Sequence, residues 1–109
     1  MAESNLRLSC KILKTLPAGS TIVADTMPLN SFSQLEFIVN LRDASGPRTK
    51  SLKLSAHVVD VSVRDQVYAR YGDPINIEVN AVSTGTDFEL QFVNNELVPV
   101  DLTLIKTIL

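Results

Sequence analysis

Residues 34–60 read QLEFIVNLRDASGPRTKSLKLSAHVVD, two alternating runs joined by a cluster of turn-forming residues. Leu35, Phe37, Val39 and Leu41 fall on one side of the first run, and Leu52, Leu54, Ala56 and Val58 on one side of the second. Side chains alternate across a strand with a period of two, so the two sets can lie side by side on one face of a strand pair. Between the runs, Asp43, Ser45, Gly46 and Pro47 supply positive φ, a fixed φ and local side-chain hydrogen bonds where a chain must reverse. The stretch reads as a long β-hairpin, strands at residues 34–43 and 49–59, to which the rest of the chain adds further strands.

The same period continues outward. Leu6, Leu8, Cys10 and Ile12 alternate with Arg7, Ser9 and Lys11 until Pro17 and Gly19 break the pattern. Thr21, Ile22, Val23 and Ala24 form a short second strand before an irregular crossing to Phe32. After the hairpin, Val61, Val63, Val67, Ala69 and Tyr71 share one side of a fifth strand over residues 60–70, with Ser62, Arg64, Gln66, Tyr68 and Arg70 opposite. Asp65 stands on the apolar side, where a strand disfavours it, so a bulge or a small solvated turn is expected near Arg64 and Asp65. Ile75, Ile77, Val79 and Ala81 begin a sixth strand, Phe88, Leu90 and Phe92 mark a seventh, and Val98, Val100, Leu102, Leu104 and Ile108 carry the last. Apolar residues recur at two and not at three and four, which leaves no amphipathic helix of useful length. Short strands separated by turn clusters predict an all-β fold, an antiparallel β-sandwich of seven to eight strands forming a single domain over residues 1–109. The expected core is Phe37, Val39, Leu52, Leu54, Ile77, Val79, Leu90, Phe92, Leu102 and Leu104.

Charge and composition exclude several classes of partner. With 10 Lys and Arg against 12 Asp and Glu, the net charge of −2 argues against a general binder of nucleic acid or of an anionic membrane, either of which needs a basic face. Aromatic residues make up 6% of the chain and Trp is absent, so the core must be chiefly aliphatic. Cys10 is alone and can form neither an intramolecular disulfide nor a multi-cysteine metal site. The first residues carry Glu3 and no unbroken apolar region, unlike a signal peptide, and no run approaches the ~18 apolar residues of a membrane span. Synthesis in the cytoplasm is the expectation.

The residues announce no catalytic chemistry. His57 is the single histidine, set in a strand with Lys53 and Ser55 on its side, whereas a nucleophilic triad needs a base oriented by an acid and adjacent to Ser or Cys. One His and one Cys fall short of the ligands of a zinc site, and the glycines stand singly, so no phosphate-cradling loop exists. The acidic residues are scattered through turns and polar strand sides, where turn hydrogen bonding and solubility are their expected work. No catalytic, cofactor-binding or metal-binding residue is therefore assigned, and the protein is expected not to be an enzyme. The informative departures are apolar residues on sides that alternation gives to solvent: Leu13, Ile38, Val82, Val93, Ile105 and Leu109. If they cluster in space they form a contact surface.

From Thr21 onward the chain resembles a β-sandwich module of structural proteins of tailed bacteriophages. The resemblance is carried by IVADTMPLNSF at residues 22–32, QLEFIVNLRD at 34–43, KLSAHVVD at 53–60, VYARYGD at 67–73, FELQF at 88–92 and the terminal LTLIKTIL at 102–109. It implies a virion structural protein without catalysis, a small head decoration protein or a neck- or tail-attached piece. Its partners would be other virion proteins and copies of itself, in a homo-oligomer or array, with no nucleic acid and no membrane involved. The alternative is a carbohydrate- or ligand-binding sandwich such as a receptor-binding tip, for which Tyr68, Tyr71, Phe32 and Phe88 are the candidate stacking residues.

Overall fold

The computed structural model describes residues 8–109, which form eight strands in two antiparallel sheets. These are β1 (Leu8–Leu16), β2 (Thr21–Pro28), β3 (Gln34–Asp43), β4 (Thr49–Val59), β5 (Ser62–Gly72), β6 (Ile77–Ser83), β7 (Asp87–Asn94) and β8 (Val100–Ile108). One sheet has five strands in the order β1-β8-β3-β4-β5, the other three in the order β2-β7-β6. The helical content of the described residues is a single 3-10 turn at Leu29–Ser31, so the all-β sandwich expected from the period of two is what forms.

The hairpin lies inside the larger sheet, with β8 and not β5 closing the other side of β3. Its register sets Leu35 opposite Ala56, Phe37 opposite Leu54 and Val39 opposite Leu52, all buried. The same face continues through Leu102 and Leu104 of β8 and meets Phe88, Leu90 and Phe92 of β7 in one core. Of the ten residues expected there, nine are buried. Val79 is half-buried, because it lies on β6, at the open side of the smaller sheet.

Two irregularities differ from the sequence expectation. Strand β2 runs through to Pro28, since a register shift between Val23 and Asp25 lets pairing with β7 resume where the alternation breaks. Strand β5 has no break at Asp65, which sits exposed opposite Ala56 in continuous register. Strand β5 is the edge of the larger sheet and is exposed or half-buried along its whole length, so an inward carboxylate there still reaches water. The bulge of β5 comes later: Tyr68 pairs with Lys53 and Tyr71 with Ser51, so Ala69 and Arg70 together face Leu52. Ala69 takes the left-handed conformation, φ 54°, that such a bulge imposes. Gly72 follows at φ 110°, where a Cβ would lie 2.5 Å from the Thr49 carbonyl oxygen, so this strand crossing admits only glycine.

Candidate functional site: the outer face of the five-stranded sheet

Two polar clusters hold the sandwich in shape and account for the buried charge. Asp25, turned inward just past the β2 bulge, accepts hydrogen bonds at 3.1 and 3.0 Å from the Lys106 Nζ of β8, so one ion pair links the two sheets with both side chains nearly buried. At one end of the sandwich, Asp43 accepts from the Ser45 N–H at 2.9 Å and from Arg48 Nε and Nη2 at 3.0 and 2.8 Å. The same guanidinium donates to Glu96 at 2.9 Å and to the Pro74 carbonyl at 3.1 Å, and Glu96 accepts from the Asn76 N–H at 2.7 Å. Buried Asn94 donates to the carbonyls of Leu16 and Val98. Four connections are thereby tied together: β1 to β2, β3 to β4, β5 to β6 and β7 to β8. The acidic residues Asp25, Asp43 and Glu96 thus do more than the turn-forming and solubilising work expected of them.

These contacts shift titrations. The Ser45 N–H and then the Arg48 guanidinium hold the Asp43 carboxyl below its ordinary range, and the Asn76 N–H and then Arg48 do the same for Glu96. A carboxyl depressed in the folded state stabilises the fold above its unfolded pKa, near 4, and that contribution is lost as pH falls through the folded value. Arg48→Gln removes a shared cause of both depressions. The variant is expected to unfold at a lower urea concentration than the parent at pH 7, with the gap narrowing as pH drops below about 4. A gap that stays constant from pH 7 to pH 3 would show that Arg48 acts only by packing.

The six apolar residues singled out from the sequence divide between the two sheets. Leu13, Ile38 and Ile105 are 66%, 48% and 40% exposed on the outer face of the larger sheet. Register brings them together: Ile105 is opposite both Ile38 on β3 and Lys11 on β1, while Leu13 is opposite Thr103, diagonal to Ile105. Side chains in such direct and diagonal relations lie within reach of one another. Leu109 is also exposed, but Thr107 separates it from Ile105, and its N–H is fixed to the Gln34 carbonyl at 2.9 Å. Val82 and Val93 belong elsewhere. They are half-buried on β6 and β7, opposite Glu89 and Glu78 on the smaller sheet, and do not join the patch.

The same face continues across β4 and β5 with a different character. The row through Ile105 and Ile38 goes on to Lys53 and Tyr68, and the row through Leu13, Thr103 and Asn40 goes on to Ser51 and Tyr71. Strict alternation puts Tyr68 and Tyr71 on opposite sides of the strand. The bulge at Ala69 and Arg70 puts them on one side, 38% and 70% exposed. No turn residue marks that bulge, so the sequence gives no warning of the pairing. Phe88 is fully buried and Phe32 packs edge-on against it with ring centroids 5.6 Å apart, which removes both as ligand-stacking residues. His57 is exposed, opposite Gln34 and Arg64, with neither a nucleophile nor an orienting acid in its row. Among the described residues no group of three or more His, Cys, Asp and Glu is placed to hold a metal ion. Beside the apolar patch is a polar depression of about 650 Å³ lined by Asn40, Arg42, Pro47, Thr49, Asp101 and Thr103.

No protein-family model matches the sequence, and the comparison with curated proteins gave no match. Among solved structures, the tailspike protein of Acinetobacter phage vB_ApiP_P1 superposes on 94% of this chain with a TM-score of 0.45 and 8% sequence identity. The chain spans 21% of that tailspike's length.

Proposed function

We propose that the protein is a non-enzymatic structural component that associates with copies of itself through the β1-β8-β3 part of its larger sheet, as one piece of a phage virion. The observation that carries this reading is the patch of Leu13, Ile105 and Ile38, contiguous and exposed on a sheet face. Exposed apolar residues are ordinary singly and signify contact when they adjoin. Lys11, Lys53 and Arg42 rim the patch together with Glu36 and Asp101, and this mixture of signs suits a second copy of the same face, in which unlike charges can pair around an apolar centre. The virion setting is supported by the sequence resemblance over residues 22–109.

Ile38→Lys and Ile105→Lys place a charge at the centre of the proposed contact. Each is expected to weaken association by roughly 1 kcal/mol or more, about fivefold in the dissociation constant. Light scattering over a range of concentrations and incorporation into purified particles are the measurements. A protein that remains monomeric, and whose lysine variants enter particles normally, would remove the support for this function.

A further inference from the structure

We propose that the outer face of β4 and β5 is a binding platform for an anionic saccharide chain, a site distinct from the apolar patch on β8 and β3. Three observations meet there. First, the bulge turns Tyr71 to the same side as Tyr68, opposite positions two residues apart on β4, which sets two exposed rings along one strand edge. The bulge holds a non-glycine residue at positive φ, an unfavourable conformation that strands adopt where a side chain must be re-aimed.

Second, the charge on this face is of one sign. The outward residues of β4 and β5 include the cations Lys53 and Arg64 but no carboxylate, in a chain whose net charge is −2. Glu36 stands on the neighbouring β3 opposite Ser55, and Gln34 Nε2 donates to both at 3.2 Å, while Asp65 lies on the other side of β5. Third, neutral hydrogen-bonding groups adjoin the rings and the cations: Ser51 opposite Tyr71, Ser55 next to Lys53, and Gln66 between Tyr68 and Arg64. Flat rings that cover the apolar face of a sugar, amides and hydroxyls that exchange bonds with its hydroxyls, and cations for its carboxylates are the chemistry an acidic glycan requires. Nucleic acid also stacks on aromatic rings, but its dense phosphate charge calls for more cations than this face offers.

The test uses the whole chain labelled with ¹⁵N, titrated with oligogalacturonate and with oligomers of sialic acid, and with maltotetraose and an oligothymidylate as comparisons. Amide shifts confined to β4 and β5 are expected with at least one acidic saccharide, weaker with the neutral one. Tyr71→Ala and Arg64→Gln are each expected to raise the dissociation constant about tenfold. Because both side chains are exposed, these variants should keep the parent spectrum elsewhere, which separates lost binding from lost folding. The proposal is overturned if neither acidic saccharide shifts these strands at millimolar concentration, if the two substitutions leave binding unchanged, or if oligothymidylate binds the face more tightly. None of these results bears on association through Ile38 and Ile105, which is read by mass in the absence of saccharide.

Discussion

Phe88→Ala is expected to lower the free energy of unfolding by about 3 to 5 kcal/mol, a large part of the 5–15 kcal/mol that stabilises an ordinary domain. The residue is fully buried on the inward side of β7. Its ring stacks on Phe37 of the opposite sheet at a centroid distance of 6.1 Å and receives the edge of Phe32 at 5.6 Å. Truncation removes apolar surface from the core and leaves a cavity between two sheets that cannot collapse onto it, because each is held by its own ladder. Urea denaturation measures the loss. Tyr71→Ala is the control: with its side chain largely in water, it should shift stability by no more than about 0.5 kcal/mol. Equal effects of the two substitutions would show that Phe88 does not occupy the centre of the core.

Lys106→Met should be comparably destabilising, by about 3 to 5 kcal/mol, although methionine is the more hydrophobic residue. The reason lies in what is left behind. Asp25 sits on β2 with its side chain 11% exposed, and both hydrogen bonds to its carboxylate from Lys106 would be lost. Removing one member of a nearly buried pair strands the other charge away from water. Replacing both members, as in Asp25→Leu with Lys106→Met, should restore stability to near the parent value, since two charges no longer have to be desolvated. The double-mutant cycle over urea midpoints is the measurement. A single Lys106→Met that costs less than about 1 kcal/mol would mean that water reaches Asp25 readily and that the pair contributes little to holding the sheets in register.

Much of the fold was legible in the residues because a strand's alternation is a local property. The pattern in residues 34–60 located β3 and β4 to the residue, and the inward set Leu35, Phe37, Val39 and Leu41 followed from period two alone. The fold class followed from the same signal repeated along the chain. Three of the six outward apolar residues, Leu13, Ile38 and Ile105, were recognisable as unusual from their polar neighbours in sequence.

Which of those residues meet was a matter of strand order, and strand order brings together segments far apart in the chain. Ile105 adjoins Ile38 because β8 pairs with β3, whereas Val82 and Val93 were assigned to another sheet whose strands give them cover. Bulges are the second feature that alternation does not reveal. One extra residue reverses every later side chain, so the shift in β2 turned Asp25 toward Lys106, and the bulge at Ala69 and Arg70 moved Tyr71 beside Tyr68. Neither shift has a local sequence signal. Asp65 shows the converse: alternation places this carboxylate inside, but β5 is the edge strand of the larger sheet and is exposed or half-buried along its length, so solvent meets the side chain. Alternation reports which side of a strand a residue occupies, and only the packing of the sheets decides whether that side is covered by protein, by a partner or by water.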